Sequence, residues 1–344
     1  MKVKLITFAI PAYNSQAYLE NAIESLLFVK ERAEIIIIND GSTDDTLKIA
    51  QEYQKKYPET IKVVDKENAG HGSGVNKGLE LASGLYYKVV DSDDWLDHVN
   101  IIKFVDTIER HYQNANLPDL YVLDFIYERV SDNTSFVRSY QENFPTNIIF
   151  GWDDIKKSFK YSKTMLMHAQ VFKTSVLRES KVNLPENTFY VDNIFAFNPL
   201  PYVKKIYYLP FVLYHYYIGR EDQSVTFSNI TKRYQQQIRV MELLLNEFSY
   251  QEIMGMSKGL RRYIKHYLSA IMIITQMFTT ALKTKERKRH LKRLWSNLKA
   301  NDPKMYRFLK YRSYNVVVNF LPWRIKGFVM VRGYQHLARK IKLG

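Results

Sequence analysis

The chain has no cysteine. That excludes a disulfide scaffold, a thiolate metal centre and thiol redox chemistry, and it is compatible with a reducing compartment. Long hydrophobic runs are also missing. The most apolar window, Leu268 to Leu282, contains Ser269, Thr275, Gln276, Thr279 and Thr280 within 15 residues, whereas a spanning helix needs about 20 mainly apolar residues. The window is expected to be a core helix. An apolar stretch near the start ends at Pro11 with no small-residue cleavage site behind it, so a buried strand fits better than a secretion signal. No internal repeat or low-complexity tract is present, and 46% hydrophobic content lets the chain bury a full core. Its 344 residues suit one large domain with an appendage, or two domains.

Acidic residues are scarce in one part of the chain only. Residues 1–225 carry 25 Lys and Arg against 30 Asp and Glu, a net of −5, while residues 226–344 carry 25 against 5, a net of +20. The overall +15 therefore describes neither part. It divides the chain into a slightly acidic front region, 1–225, and a basic helical region, 226–344.

Strands and helices alternate along the front third. Val3–Ile10, Glu34–Ile38, Ile61–Val64 and Leu85–Val90 are apolar runs, and helical periodicity fills the intervals at Ser15–Phe28, Thr43–Tyr57 and Ser73–Ala82. Continuous Val/Ile runs between amphipathic helices predict a mostly parallel α/β sheet covered on both faces. Farther on, Tyr121–Val130, Lys204–Tyr208 and Phe211–Tyr217 read as extended, Val191–Asn198 as a short helix, and Ile230 to Lys299 as helical. Ligands of such sheets bind beyond the carboxyl ends of the strands. There the sequence reads Pro11-Ala-Tyr13-Asn14, Asn39-Asp40-Gly-Ser-Thr-Asp-Asp, Asn68-Ala-Gly70-His-Gly-Ser-Gly-Val-Asn76 and Asp91-Ser92-Asp93-Asp94.

Each segment has a plain structural explanation beside a chemical one. Asp91 and Asp93 offer hard oxygens for Mg²⁺ or Mn²⁺ holding a diphosphate, or they are solvated residues ahead of a helix. Asp40 begins an ordinary strand-to-helix turn, or accepts a hydrogen bond from a pyrimidine N–H. The glycine-rich run before the third helix offers backbone N–H groups to a diphosphate. It is neither a dinucleotide fingerprint, since Val75 stands where the third glycine belongs, nor a P-loop.

Together, in this order across residues 3–97, these segments resemble glycosyltransferase family 2, the inverting nucleotide-sugar transferases of the GT-A fold, including bacterial cell-surface polysaccharide and teichoic-acid types. The resemblance implies a catalytic domain over 1–225, with a nucleotide-binding half at 1–97 and an acceptor half at 98–225, a Rossmann-like sheet flanked by helices, and a donor site built from Pro11, Tyr13, Asn14, Asp40, Asn68, Gly70, Asn76, Asp91, Ser92 and Asp93. It implies Mn²⁺ or Mg²⁺ held by Asp93 with Asp91. Val75 stands in place of the family's usual arginine, which leaves Lys77 or Lys88 to face the diphosphate. The family's base, an acid ahead of a short apolar helix, falls on Asp192, which would take the acceptor hydroxyl proton during attack. The segment from Tyr214 matches the part of the family that closes over the diphosphate, with Arg220 pairing phosphate oxygens. His215 is either a metal ligand or a histidine packed against aromatic neighbours, and His168 is expected to be a core histidine.

The basic tail interleaves Trp323, Ile325, Phe328, Val329, Tyr334, Leu337 and Ile341 with cations. That pattern suits a helix lying in an anionic membrane interface, or an oligomer interface; no nucleic-acid module accompanies the charge. The expected partners are a nucleotide-sugar, a glycan or lipid-linked acceptor and the inner face of a cell membrane, with the protein cytoplasmic and peripheral. A sugar nucleotidyltransferase would need a glycine-rich loop after the first strand, where Pro11-Ala-Tyr13-Asn14 stands. A non-catalytic scaffold would have no use for Asp93 and Asp192.

Overall fold

Buried at every position, Ile6–Ala12 (β1) forms the middle of a sheet that begins as the alternation predicts. The computed structural model describes residues 3–129, 133–157, 159–160, 163–218 and 227–340. Strand β1 pairs in parallel with Ala33–Asp40 (β2), which pairs in parallel with Ile61–Lys66 (β3). On its other side β1 pairs in parallel with Tyr86–Val89 (β4). Trp95–Leu96 (β5), Leu120–Arg129 (β6), Thr134–Arg138 (β7), Ile149–Phe150 (β8), Gln170–Lys173 (β9) and Ile206–Ile218 (β10) complete the ten strands among the described residues, in the order β3-β2-β1-β4-β9-β6-β10-β5 along the main path. Strand β9 runs antiparallel to both β4 and β6, so the parallel half ends at β4.

The helix His71–Leu81 starts two residues before its predicted position and lies very close to β1. A Cβ on Gly74 would meet Pro11 Cβ at 2.9 Å, and one on Gly78 would meet Ala9 Cβ at 2.7 Å. Only glycine at both i and i+4 allows that approach. The two extended runs predicted around Tyr208 and Phe211 are one continuous strand, β10, in which Pro210 lies on the path without breaking it. The periodicity also missed the helix His98–Gln113, capped by Asp97, whose carboxylate accepts from the N–H groups of Val99 and Asn100.

The chain divides into two compact units. The first comprises residues 1–128, 137–151 and 165–217 and contains the sheet path described above. The second comprises residues 129–136, 152–164 and 218–344 and is built around the helix Lys258–Thr280. Within it most of the predicted core window is buried, including Leu268, Ile271, Met272 and Phe278, while Leu282 at its end is exposed. Segment 152–164 belongs to this unit because Trp152 passes against Gly259, where a Cβ would collide with the Trp152 carbonyl, and Asp153 accepts from the Gly259 N–H at 2.6 Å. Among the described residues no helix is long and apolar enough to cross a membrane.

Candidate donor and catalytic site

The polar strand ends of the first unit hold one another in place. Asn14, in the left-handed region at φ 47°, accepts from the Thr43 N–H at 2.8 Å, and its own N–H donates to Ser42 Oγ at 3.0 Å. The Ser92 hydroxyl meets the Ser15 hydroxyl at 2.6 Å in a buried contact. Asp40 is buried, and its carboxylate accepts from Lys66 Nζ at 2.6 Å, from the Ala69 N–H at 3.0 Å and from the Gly70 N–H at 2.7 Å. In this structure Asp40 therefore braces the glycine-rich loop. Gly70 is needed there, since its φ of 85° is strained for any side chain. Tyr13 is exposed, Asn68 is exposed against Gly41, and Pro11 lies buried beneath Gly74. Asn76 is turned to the protein as well. Its side-chain amide donates to the Leu184 carbonyl and accepts from the Leu184 N–H, each at 2.9 Å.

The acidic loop after β4 sits in a dense network. Asp91 Oδ1 lies 2.8 Å from His71 Nε2, and the Asp91 N–H donates to the Tyr214 hydroxyl at 3.1 Å. Burial alone would depress the His71 imidazolium, but the Asp91 carboxylate, followed by Asp192 and Asp93, outweighs it and raises its pKa. For Asp91, burial pushes upward and the His71 charge and hydrogen bond pull further downward, so its carboxylate is held below the usual range. His71 thus faces the field of three carboxylates, and sequence reading did not single it out. Its only signal is its place at the first turn of a helix facing the acidic loop. The two lysines proposed for the position opposite Val75 are otherwise engaged: Lys77 pairs with Glu80 at 2.9 Å, and buried Lys88 donates to the His168 carbonyl at 2.8 Å. Burial brings the Lys88 pKa down to about 7.

Asp94 has an internal role. Its two oxygens accept from the Tyr214 hydroxyl at 2.5 Å and from the Tyr217 N–H at 2.8 Å, and burial, then Asp93 and Asp91, push its carboxyl well up. The ligand atoms of Asp91, Asp94 and His168 come within 4.8 Å of one another. His168 stacks on Tyr214 and leaves Nδ1 buried without a partner, and burial lowers its pKa to about 4, so its ring is neutral. His215 stands apart from this group. It stacks on Trp95 at 5.2 Å and bonds Glu128 at 2.9 Å, the packed arrangement rather than the ligating one. Asp91 and Asp93, both partly accessible on one loop, have the hard-oxygen chemistry that suits Mg²⁺ or Mn²⁺ with phosphate oxygens completing its shell. Asp94 suits it less, because its oxygens already accept hydrogen bonds.

Asp192 opens the helix Asp192–Phe197 without capping it, since the N-cap position is Val191 and no side-chain cap forms. Two residues earlier Tyr190 adopts φ 66°, an uncommon conformation for a bulky residue, and its carbonyl accepts from Asn193 Nδ2 at 3.0 Å. Burial raises the Asp192 pKa to about 6, with His71 pulling it down and Asp91 pushing it up. The same electrostatic neighbours place it with the acidic loop. Arg220 lies outside the described residues.

Residues 7–175 match the family described as glycosyl transferase family 2. The chain carries a family 2 glycosyl transferase domain. Among curated proteins it is similar to EpsH of Bacillus subtilis (strain 168), with 27% identity over 72% of this chain and 68% of EpsH. It is also similar to the poly(ribitol-phosphate) beta-glucosyltransferase of Bacillus spizizenii, with 25% identity over 65% of this chain but only 34% of that protein. The crystal structure of S. aureus TarS 1–349 with UDP-GlcNAc superposes with a TM-score of 0.65 at 19% identity, covering 98% of this chain and 92% of that one, which shows a shared fold. The matched family 2 region contains every donor-site residue expected at the strand ends and His71, while Asp192 and the segment from Tyr214 lie beyond it.

Proposed function

We propose that the chain is a metal-dependent, inverting transferase that moves a single sugar from a nucleotide-sugar, a UDP-sugar, to a glycan or lipid-linked acceptor of cell-surface polysaccharide. The observation that carries this reading is the convergence of Asp91, Asp93 and Asp192, from two segments far apart in sequence, on His71. The uridine donor is supported by the likeness in fold to TarS, solved with UDP-GlcNAc and with UDP.

Asp91 and Asp93 would hold Mn²⁺ or Mg²⁺, which neutralises charge on the leaving diphosphate. The protein's own residues do the rest. Asp192, with its raised pKa, accepts the acceptor hydroxyl proton as that oxygen attacks the anomeric carbon, while the bond to the nucleoside diphosphate breaks and the diphosphate leaves with the electron pair. His71 stands at the start of a helix, where its raised pKa favours the positive form, and the N–H groups of His71 and Gly72 add the helix N-terminal field on the diphosphate. Asp40 and Asn76 keep the loops in register.

The tail supports peripheral attachment to the cytoplasmic face of an anionic membrane. Val317, Phe320, Ile325, Phe328 and Val329 are exposed among cations, while Gly327 and Lys326 face the helix Lys258–Thr280 and Met330 is buried. The side chains of Tyr334 and Leu337, and Ile341 altogether, lie outside the described residues.

A donor panel scored by nucleoside diphosphate release, with and without EDTA, tests the transferase reading. Metal-dependent release with one or two UDP-sugars is expected; no release from any donor would overturn it.

A further inference from the structure

The second unit contains a cleft of about 590 Å³, a size typical of sites that bury a small ligand. All of its lining residues belong to that unit. Four cations come from one face of the helix Lys258–Thr280: Lys258, Arg261, Arg262 and Lys265. Arg312 comes from the chain after the helix Pro303–Tyr311. The lining contains no carboxylate, and none of the five cations forms an ion pair with an acidic side chain among the described residues. Their contacts are with backbone and rings instead. Arg261 donates to the Met254 carbonyl at 2.9 Å, Arg262 donates to the Ile155 carbonyl, and Lys265 Nζ lies 4.2 Å from the Phe308 ring centre.

Five like charges around one concavity repel one another unless an anion lies between them. Surface cations normally spread out or alternate with acids, so this concentration is a cost to the fold that a ligand would offset. The walls between the charges are aromatic, with Phe159 edge-on to Tyr263 at 4.8 Å. His266, which also lines the cleft, is buried and leaves its Nε2 without a hydrogen-bond partner. Arginines grip phosphate through paired N–H groups, and aromatic faces take the C–H faces of a sugar or polyol. The side chains suited to a membrane surface sit instead on the outer faces of Asn315–Phe320 and Trp323–Lys340.

We propose that this cleft binds a phosphodiester-linked sugar or polyol, apart from the donor site. As a place where an acceptor is held, the cleft rests on the transferase reading. As a binding site it does not, and the measurement below reads binding alone.

Titrate the full-length chain with glycerophosphoglycerol by calorimetry, with glycerol as the uncharged control and phosphatidylglycerol vesicles as a separate arm. Saturable binding of glycerophosphoglycerol and none of glycerol are expected. The exposed pair Lys258→Gln and Arg312→Gln should weaken that binding roughly tenfold or more while leaving UDP affinity unchanged. Arg261→Lys, which keeps the charge but loses the planar fork, should weaken it less than the pair does. Absence of soluble phosphodiester binding, or equal binding by the double variant, overturns the proposal. Loss of vesicle binding in the double variant without any soluble binding in the wild type would make the cleft a lipid headgroup site, and it would also overturn the proposal.

Discussion

Asn76 and Leu184 are joined by two hydrogen bonds, amide to carbonyl and N–H to amide oxygen, both 2.9 Å long, across 108 residues of chain. Asn76 lies on the helix that begins at His71, and Leu184 opens the segment that ends at Asp192. The pair therefore ties the helix that presents the candidate cation to the loop that presents the candidate base. Replacing Asn76 with Ala leaves a donor and an acceptor of Leu184 unpaired, and it should destabilise the protein by about 1–3 kcal/mol. Turnover should fall more than UDP affinity does, because the base shifts while the donor loops keep their own bonds. Denaturant unfolding measures the stability loss, turnover kinetics beside calorimetric UDP binding measure the other two, and an equal loss of turnover and UDP affinity would show that Asn76 acts on the donor directly.

Asp192→Asn is close in shape but accepts no proton. Transfer should fall by about 10²–10⁴-fold, with UDP-sugar binding retained. Single-turnover kinetics beside equilibrium donor binding separate the two, and a variant that transfers at the wild-type rate would remove Asp192 from the mechanism.

The same residue sets a pH dependence. Asp192 works as a base only when ionised, and burial lifts its pKa to about 6. Activity is therefore present above that value and is lost as pH falls through it, the opposite direction from an acid catalyst. A kcat/KM profile between about pH 5 and 8 should show an acidic limb near 6 that disappears in the residual activity of Asp192→Asn. A flat profile across that range contradicts the assignment.

Metal removal should stop nucleoside diphosphate release, and added Mn²⁺ or Mg²⁺ should restore it. Asp93→Ala should reduce release by about two orders of magnitude or more even with metal in excess. His215→Ala should leave the metal requirement unchanged, since His215 is packed between Trp95 and Glu128. A shifted metal requirement in His215→Ala would restore that histidine as a ligand.

The tail is best tested by surface substitutions. Gly327 sits where a Cβ would collide with the Thr280 carbonyl, and Met330 is buried, so deleting the helix Trp323–Lys340 would strip the core. Ile325→Ser with Phe328→Ser changes only exposed side chains. If the tail enters a membrane interface, each lost side chain removes roughly 1.5–3 kcal/mol of burial, and sedimentation with anionic vesicles should drop accordingly while donor hydrolysis persists. Unchanged sedimentation counts against the membrane role.

The parallel half of the sheet was legible because strands buried on both faces are written as uninterrupted apolar runs, and their ends as short polar segments. The motif set Asn14, Asp40, Asp91 and Asp93 follows from that local grammar. Roles within it were less legible. Asp40 and Asn76 look like ligand-binding residues in sequence, yet in the structure they bond backbone groups of Ala69, Gly70 and Leu184. A polar side chain at a strand end takes whichever partner the fold brings near, and its own sequence neighbours do not name that partner. His71 went unnoticed for the same reason: its carboxylates come from 20 and more residues away.

From composition and spacing alone, the chain was fixed as a cysteine-free α/β protein with a polar loop at each parallel strand end, and its positive charge was placed behind residue 225. These are properties of local runs and counts. Only the tertiary structure decided that Asp91 bonds His71 and that Asp93 and Asp192 add to the field on it, that His215 bonds Glu128 and stacks on Trp95, and that residues 152–164 complete the basic unit. Burial and electrostatic coupling act through space, so they exist only once distant segments have been brought together.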